Sequence, residues 1–365
     1  MSADKIRAWA AFNMAGEYKQ WEYEARPLGK KEVRIQIAGC GICGSDVHTA
    51  RCGNDGHSDW GQTTYPVVVG HEIVGRVVAA GSEVTDLAVG DNVGVGAQVS
   101  SCQDCPKCEQ DRDAYCPSRV FTYNAEYPAN HESAGHMAYG GYADQVIVPA
   151  AYAFKIPEAI DPLEAAPLFC AGVTVASPLF HWKAGTERKR VGVVGIGGLG
   201  HLGLQFAKAL ECEVTAISRS EAKKELCLTQ LGADHFVAMA DEEQVQKATA
   251  SLDLILVTAN GDNMDYSPFM NMLDTDGVLV VLGIPDNVIV NAKPFQLIVE
   301  RKSIAGSLIG GRADIQRMLQ LAADKGVRPI IEKRPMSEVN AATERMHNGK
   351  ARFRIVLEND FAAQN

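Results

Sequence analysis

The residues from 39 to 48 combine several reactive side-chain types directly after a run that is typical of a strand. They include a thiol at Cys43, a hydroxyl at Ser45, a carboxylate at Asp46 and an imidazole at His48. A thiolate can hold zinc, a hydroxyl can pass a proton, a carboxylate can orient a ligand, and histidine titrates near neutral pH. A purely structural segment does not need this mixture, so we interpret the stretch as part of a site that performs chemistry.

A ladder of four cysteines follows with the spacing C-x2-C-x2-C-x7-C, formed by Cys102, Cys105, Cys108 and Cys116. Such spacing lets one loop surround a tetrahedral zinc ion with all four positions filled, and a closed site of this kind is structural. The alternative, four unligated thiols in one loop, would leave them open to oxidation. We therefore predict a structural zinc site in this loop.

A glycine-rich loop, Gly195-Ile196-Gly197-Gly198-Leu199-Gly200, follows a short apolar run and precedes apolar residues at helical spacing. Between a strand and a helix, this pattern is the fingerprint of dinucleotide binding. The glycines let the backbone approach a pyrophosphate at the helix N-terminus, where backbone amides and the helix dipole favour an anion. The loop therefore predicts a dinucleotide cofactor.

The residues after the next strand indicate which dinucleotide is bound. That strand ends at Ile217 and is followed by Ser218, Arg219, Ser220 and Lys223. NAD sites normally place an acidic residue here to bind the ribose 2′-hydroxyl. Small hydroxyls and two cations suit a 2′-phosphate instead, so we predict NADP(H). An ordinary basic turn, with NAD held by other contacts, is the alternative.

Composition limits the class of protein. The 365 residues suffice for two domains, each with its own core. The net charge of −10 argues against nucleic acid or an anionic membrane as a partner. The N-terminus lacks the apolar region of a secretion signal, and no run reaches the roughly 18 apolar residues of a spanning helix. We therefore expect the ten cysteines to be reduced thiols or metal ligands in a cytoplasmic protein.

Two regions of different character must position these groups. Up to Pro149 the chain is rich in Val and Ile broken by glycines, which predicts short strands, tight turns and long loops. Residues 121–142 are one such loop, which could border a substrate entrance or be an ordinary surface excursion. Beyond Pro149, the run from Asp161 predicts a helix start, with an Asp cap and a Pro in the first turn. Short apolar runs then alternate with helix-length segments, as in an open parallel sheet. We expect residues 352–357 to return to the first domain as a strand.

Together these features resemble the zinc-dependent medium-chain alcohol dehydrogenases, and more closely the NADP-dependent cinnamyl alcohol dehydrogenases of plants and fungi. The similarity spans nearly the whole chain, through Gly70-His71-Glu72, the cysteine ladder, residues 168–178, the glycine loop, Ser218-Arg219-Ser220 and Arg352-Phe353-Arg354. It implies an α/β architecture with a GroES-like, mostly β catalytic domain over residues 1–157 and 312–365. A Rossmann domain with a doubly wound parallel sheet would then cover residues 158–311. Two zinc ions per chain, NADP(H) and a homodimer are also expected.

The resemblance further implies a catalytic zinc site. Cys43, His71 and Cys170 match the metal ligands, and Glu72 matches a carboxylate that can approach the metal in relatives. The residues alone leave this open, because His71 could be a core histidine and Cys170 a buried apolar side chain. Asp46 matches the acid that orients the ligand histidine, which is the support that such a site usually requires.

Further roles follow from the same resemblance. Ser45 and His48 match a proton relay, Arg354 matches a residue that touches phosphate, and Trp60 and Gln98 fall near substrate-pocket positions. The positions that line the cofactor cleft in relatives correspond to Thr174, Thr258, Gly283, Ser307, Leu308 and Ile309.

The function that the resemblance implies is hydride transfer between NADPH and cinnamyl-type, aromatic or medium-chain aldehydes, with a small aldehyde or alcohol as the partner. One departure lies at Gly44, where several relatives carry His or Arg, so Arg219 and Lys223 would supply more of the phosphate binding. An NAD-dependent zinc alcohol or polyol dehydrogenase is the nearest competing interpretation, and the missing acid after Ile217 argues against it. Two more distant hypotheses are a redox or NADPH sensor without turnover and a protein with a purely structural role.

Overall fold

The computed structural model describes residues 4–51, 62–259, 264–283 and 292–361. The chain divides into two compact units. The first comprises Met1–Cys170, Gly311–Leu319 and Pro329–Asn365, and the second comprises Ala171–Gly310 and Gln320–Arg328. The first unit is discontinuous and its first segment ends at Cys170, whereas the sequence-based domain bounds end that segment at residue 157 and stay a prediction. Residues 158–170 belong to it because they carry Cys170 to the side chains of Cys43 and His71.

Strands and helices are numbered in chain order. The strands are β1 (Lys5–Ala11), β2 (Tyr18–Glu24), β3 (Glu32–Gly41), β4 (Glu72–Ala80), β5 (Asn92–Val95), β6 (Gln98–Ser100), β7 (Val120–Phe121), β8 (Ala125–Glu126), β9 (Met137–Ala138), β10 (Gln145–Pro149), β11 (Phe154–Lys155), β12 (Arg190–Val194), β13 (Glu213–Ser218), β14 (His235–Ala238), β15 (Leu252–Val257), β16 (Leu273–Val281), β17 (Ser303–Gly306), β18 (Ile331–Pro335) and β19 (Arg354–Glu358). The α-helices are α1 (Gly44–Arg51), α2 (Pro106–Glu109), α3 (Pro162–Ala165), α4 (Ala171–His181), α5 (Gly200–Ala209), α6 (Lys224–Thr229), α7 (Glu242–Lys247), α8 (Ser267–Met272), α9 (Pro294–Ile298), α10 (Arg312–Lys325) and α11 (Val339–His347). Short 3₁₀ turns cover Asp113–Tyr115, Ala150–Tyr152, Ala166–Phe169, Glu221–Lys223 and Met336–Glu338.

The first unit is built around a sheet with the strand order β11-β5-β4-β3-β19-β18, and β10 also pairs with β3. Strand β3 alternates buried Val33, Ile35 and Ile37 with more exposed Arg34 and Gln36. This alternation is expected of a strand with one face on a core, and β-branched side chains pack well on such a surface. Strand β19 lies antiparallel to β3, so the predicted return of the C-terminal residues is confirmed.

The second unit contains, within its described residues, a six-stranded sheet with the order β14-β13-β12-β15-β16-β17. Every neighbouring pair in this sheet is parallel. The strand order reverses between β12 and β15, and dinucleotides bind outside the carboxyl ends of the strands at such a point. The predicted doubly wound sheet is therefore confirmed, with the glycine loop directly after β12.

Two short turns lead to Cys170. Helix α3 begins after Asp161, whose carboxylate accepts two backbone N–H groups of the first turn at 3.0 and 3.2 Å, so the predicted helix start is confirmed. The 3₁₀ turn Ala166–Phe169 follows, and Cys170 lies directly before α4.

Among the described residues, no single helix is long and apolar enough to cross a membrane, and one bent pair, Pro162–Phe169 with Ala171–His181, meets the length and composition criteria together.

Candidate active site

Three separate parts of the first unit bring Cys43, His71 and Cys170 together. Cys43 lies between β3 and α1, His71 directly precedes β4, and Cys170 precedes α4. The two sulfur atoms are 3.9 Å apart, and Nε2 of His71 is 3.1 Å from the sulfur of Cys170. All three side chains are buried. Residues that sequence spacing could not connect therefore converge on one point.

This donor set fits a zinc ion. Tetrahedral zinc with Zn–S bonds of about 2.3 Å holds two sulfurs about 3.8 Å apart, and the two sulfurs here are 3.9 Å apart. The carboxylate of Glu72 joins the group, with all four ligand atoms within 4.8 Å of one another. Two thiolates and one imidazole are a known set for catalytic zinc, and they leave one coordination position for another ligand.

Burial and charge decide the protonation of these ligands. Burial disfavours a charged His71, but the Asp46 carboxylate and the Cys43 thiolate outweigh it and raise the pKa of His71 to about 10. A hydrogen bond from Cys170 holds the pKa of Cys43 well below its usual value, although burial opposes this. The pocket therefore favours a thiolate with a positive charge beside it. A metal ion would take over that charge, and its binding would release the proton from His71.

Asp46 lies behind His71, with Oδ1 3.3 Å from Nδ1 of the imidazole. The same oxygen accepts the backbone N–H of Gly70 at 3.2 Å. Its other oxygen, Oδ2, accepts the backbone N–H of Cys43 at 2.8 Å and the hydroxyl of Tyr142 at 3.0 Å. A carboxylate held in this way favours the tautomer with hydrogen on Nδ1, which turns Nε2 toward the metal position. This is the geometry that the predicted orienting role requires.

Sequence reasoning missed two tyrosines beside these groups, Tyr123 and Tyr142. The hydroxyl oxygen of Tyr123 lies 3.0 Å from Nδ1 of His71. The ring centroids of Tyr123 and His71 are 5.5 Å apart, and the ring planes are tilted by 31°. Burial raises the pKa of both phenols well above the usual value, so both remain hydroxyls at neutral pH. No spacing signal could have paired Tyr123 with His71, because 52 positions separate them.

Arg354 forms a buried ion pair with Glu72, through Nη2 and Oε1. Oε2 of Glu72 and Nε of Arg354 have no hydrogen-bond partner among the described residues. Gly41 provides the room for this pair, because a Cβ there would lie 2.0 Å from Oε2 of Glu72. The structure thus brings Arg354, predicted to touch phosphate, to the carboxylate beside the metal ligands.

Ser45 and His48 both lie on α1, directly after Cys43. The hydroxyl oxygen of Ser45 is 3.7 Å from the sulfur of Cys43, which places it beside the metal position. Residues three apart on a helix share a face, so Ser45 and His48 project from the same side of α1. His48 is half-buried. The predicted relay residues are therefore arranged along one helix face.

The cysteine ladder forms a second compact set of sulfur atoms. Neighbouring sulfurs are 3.9 Å apart for Cys102 and Cys108, 3.4 Å for Cys102 and Cys116, 3.6 Å for Cys105 and Cys108, and 3.9 Å for Cys105 and Cys116. These separations fit the edges of a zinc–thiolate tetrahedron, about 3.8 Å. Cys102 and Cys105 are half-exposed, whereas Cys108 and Cys116 are buried. The donors thus suit a closed metal site near the surface.

Gln98, predicted to lie near a substrate pocket, is bonded to the segment that carries the cysteine ladder. Its amide nitrogen donates to the backbone oxygens of Ser100 and Asp113 at 3.0 and 3.1 Å and lies 3.3 Å from the hydroxyl of Tyr152. These bonds engage the amide hydrogens of a buried side chain. The place of Gln98 near a substrate pocket stays a prediction. The other predicted pocket residue, Trp60, lies outside the described residues.

The glycine loop of the second unit has positions that only glycine fits. Gly195 has φ of +86°, and a Cβ there would lie 2.6 Å from the Cβ of Ala259. A Cβ at Gly200 would lie 2.0 Å from the carbonyl oxygen of Gly195. The loop therefore turns tightly from β12 into α5, at the edge of the sheet where a dinucleotide is expected.

Side chains hold the carbonyl groups of residues 195–197. The Thr258 hydroxyl donates to the carbonyl oxygen of Gly195 at 2.7 Å, and the Lys223 ammonium donates to that of Ile196. Nδ1 of His201 lies 3.0 Å from the carbonyl oxygen of Gly197. Burial lowers the pKa of His201 to about 4, so this imidazole is neutral at physiological pH. Lys223, predicted to bind the 2′-phosphate, thus also contacts the loop, and His201 is a loop contact that sequence reasoning missed.

The other predicted cofactor residues also lie in the second unit. Ser218 ends β13, and the exposed Arg219 and Ser220 follow it. The nearest acid, Glu221, is bonded to Lys224 at 3.0 Å and to the side chain of Gln244 at 2.9 Å. Gly283 follows β16, Ser307, Leu308 and Ile309 follow β17, and Thr174 is buried on α4. Ser307, Leu308, Ile309 and Gly283 thus follow strands of the parallel sheet at their carboxyl ends.

Comparisons with known proteins agree with this architecture. The model of the alcohol dehydrogenase GroES-like domain matches residues 29–158, and that of zinc-binding dehydrogenases matches residues 198–324. A probable cinnamyl alcohol dehydrogenase 6 of Arabidopsis thaliana is 39% identical over 350 residues, which cover 96% of this chain and 93% of the relative. The 8-hydroxygeraniol dehydrogenase of Catharanthus roseus is 40% identical over 354 residues, which cover 97% and 95%.

A solved structure is similar over the same extent. CAD from Helicobacter pylori, complexed with NADP(H), matches with a TM-score of 0.86 and 30% identity, covering 98% of each chain. The two matched domains correspond to the mostly β unit and the parallel-sheet unit, so the predicted GroES-like and Rossmann domains are confirmed. Cinnamyl alcohol dehydrogenases are among the relatives of this chain. The chain therefore belongs to the zinc-binding medium-chain alcohol dehydrogenases, a family of oxidoreductases.

Proposed function

We propose that this protein is a zinc- and NADP(H)-dependent dehydrogenase that interconverts cinnamyl-type, aromatic or medium-chain aldehydes and their alcohols. The convergence of Cys43, His71 and Cys170 carries the proposal, because their two sulfurs and one nitrogen form a catalytic zinc set. The names of the relatives support the alcohol and aldehyde class, and the NADP(H) complex of the Helicobacter pylori protein supports the cofactor.

The chain's own residues divide the work. Cys43, His71 and Cys170 would hold a zinc ion, which supplies Lewis-acid polarisation of a carbonyl oxygen and lowers the pKa of an alcohol. A bound NADPH would supply the hydride. Asp46 keeps His71 in the tautomer that presents Nε2 to the metal. In aldehyde reduction, His48 takes a proton from water and passes it along one face of α1 to Ser45, which lies beside Cys43 and donates it to the oxygen of the product alcohol. Alcohol oxidation runs the same proton transfers in reverse.

The relay is tested by Ser45→Ala, with Ser45→Thr as the control that retains a hydroxyl. Loss of a positioned proton donor should lower kcat about 100-fold, because such groups contribute about that much. Zinc content should stay unchanged, since Ser45 is not a ligand. Steady-state kinetics of aldehyde reduction and metal analysis check both points. Equal kcat values in the Ala and Thr variants would exclude the relay.

Cofactor choice is assigned to Ser218, Arg219, Ser220 and Lys223. Two observations support NADP(H): Ser218-Arg219-Ser220, directly after β13, carry no acidic residue, and the next residue, Glu221, is already bonded to other side chains. Arg219→Ala should lower kcat/KM for NADPH about tenfold and leave that for NADH nearly unchanged, because a 2′-phosphate loses a charged partner. Lys247→Ala is the control, since this exposed cation of the same unit pairs with Glu243 and leaves the partners of Glu221 unchanged. A wild-type preference for NADH would refute the assignment.

We further propose a cytoplasmic homodimer with two zinc ions per chain. The two sulfur-rich sets support the metal count, and such thiolate ligands require reduced cysteines. Elemental analysis of the purified protein should find two zinc ions per chain, and light scattering should give twice the chain mass. A single zinc ion, or the mass of one chain, would contradict the respective part.

A further inference from the structure

The segment of residues 121–142 reaches the proposed zinc ligands at both of its ends. Near its start, Tyr123 lies against the imidazole of His71, and its hydroxyl oxygen is 3.0 Å from Nδ1. The ring is buried, with 8% of its surface exposed. Asp46 Oδ1 lies 3.3 Å from the same nitrogen. The nitrogen that faces away from the metal position therefore has two polar neighbours, of which the tyrosine is the nearer.

At the other end of the segment, Tyr142 donates its hydroxyl to Oδ2 of Asp46 at 3.0 Å and is fully buried. Its backbone N–H donates to Val69 at 3.0 Å, and the N–H of Gly141 donates to Gly70 at 2.8 Å. A Cβ at Gly70 would lie 2.6 Å from the ring of Tyr142. The segment is therefore bonded directly to the backbone that precedes His71.

The carboxylate of Asp46 depends on this segment for one of its donors. Asp46 also accepts the backbone N–H groups of Cys43 and Gly70 and faces Nδ1 of His71. Cys43, Gly70 and His71 belong to the metal-ligand loops themselves, whereas the hydroxyl of Tyr142 comes from a different part of the chain. A hydrogen bond from outside the ligand loops fixes where the carboxylate lies relative to the rest of the unit.

The geometry points to residues 121–142 as a brace of the catalytic metal centre, in which Tyr142 positions Asp46 and Tyr123 positions the imidazole of His71. This inference rests on the proposed function, since it takes Cys43, His71 and Cys170 as metal ligands. Both tyrosines are positioning residues, because the hydroxyl of Tyr142 contacts Asp46 and that of Tyr123 contacts Nδ1 of His71, the nitrogen that faces away from the metal position. Partners of metal ligands typically contribute about 10- to 100-fold to metal affinity. A tyrosine that acts through Asp46 should lie at the lower end of that range.

The test measures zinc release to a chromogenic chelator from the full-length holoenzyme and from Tyr142→Phe, Tyr123→Phe and Tyr18→Phe variants. Tyr18 is the matched control, because its buried ring packs against Tyr142 at 5.6 Å while its hydroxyl has no hydrogen-bond partner among the described residues. Cys170→Ala identifies which phase of release belongs to the catalytic site. The second phase, from the cysteine ladder, serves as an internal reference.

We expect the catalytic phase to be about tenfold faster in Tyr142→Phe and in Tyr123→Phe, while the ladder phase stays unchanged. Excess zinc should restore the kcat of both variants. Tyr18→Phe should release zinc as the wild type does. If zinc leaves the catalytic site of the Tyr142→Phe and Tyr123→Phe variants no faster than that of Tyr18→Phe, the brace is refuted and the zinc site is not. Equal acceleration of both phases of zinc release would have the same consequence. If the Cys170→Ala variant releases zinc in the same two phases as the wild type, the proposed zinc site is refuted and the brace is refuted with it.

Discussion

The two sulfur-rich sites of the first unit are assembled from the chain in different ways. The ladder takes its ligands from Cys102 to Cys116, so one loop provides all of them. The proposed catalytic set joins Cys43 to Cys170 across 127 positions and takes His71 from a third element. Two of the four ladder cysteines, Cys102 and Cys105, are half-exposed, whereas every side chain of the catalytic set is buried. A metal can thus organise the ladder loop, but the catalytic set exists only once the sheet around it has formed.

Because of this difference, we expect the ladder metal to contribute mainly to stability and the catalytic metal mainly to activity. The ladder takes all four ligands from one short segment, so metal binding there is expected to contribute to the folding of that segment. The catalytic ligands are held by β3, β4 and the donors around Asp46, so their arrangement depends less on the metal. Removing one ligand from each site should therefore affect different properties of the protein.

The largest effect is expected for Cys170→Ala. Loss of a zinc ligand should lower kcat/KM for aldehyde reduction by at least about 1,000-fold, because metal polarisation contributes several kcal/mol to such reactions. One zinc ion per chain should be lost while the fold remains. Cys227→Ala is the control, since this buried cysteine lies outside both sites. Elemental analysis and steady-state kinetics check the result, and a variant that keeps both zinc ions and full activity would refute the assignment.

A smaller effect on activity but a larger one on stability is expected for Cys105→Ala. The ladder metal should be lost, and the melting temperature at a fixed scan rate should fall by about 10 °C, the shift that roughly 4 kcal/mol causes in a domain of this size. Activity per folded molecule should stay near that of the wild type. Calorimetry together with kinetics measures both quantities. Equal melting temperatures for Cys105→Ala and Cys170→Ala would remove the distinction between the two sites.

The smallest effect concerns thiol reactivity after chelation of the metals. Backbone hydrogen bonds at Cys108 lower the pKa of Cys105 to about 7, while a hydrogen bond with Asp104 raises that of Cys102 to about 12. The thiolate fraction of Cys105 should grow as the pH rises through 7, so at that pH iodoacetamide should label it at least about tenfold faster than Cys102. Cys43 should react slowly because it is 8% exposed.

Peptide mapping by mass spectrometry at pH 6, 7 and 8 follows this labelling at each cysteine. Faster labelling of Cys43 than of Cys105 would reverse the proposed contrast between a buried and an accessible site. Equal labelling of Cys102 and Cys105 would contradict the assigned hydrogen bonds within the ladder.

Local patterns gave reliable predictions where neighbouring residues decide the structure. Asp161 starts a helix because its side chain caps the next turn. The run at β12 and the glycines after it form a strand and a tight turn, since backbone sterics at Gly195 and Gly200 admit no side chain. Local patterns did not identify the side chains that support the metal ligands. Tyr123 and Tyr142 contact His71 and Asp46, and neither contact was predicted.

The sequence by itself determined the two-domain class, the alternation of strands and helices with its glycine loop, and the ladder, because these follow from chain length or from patterns within short segments. The resemblance supplied Cys43, His71 and Cys170, but only the tertiary structure decided that their donor atoms meet. It also decided that Arg354 pairs with Glu72, that Lys223 touches the glycine loop and that Tyr142 holds Asp46. Those contacts depend on strand register and packing between distant segments, which spacing along the chain does not encode.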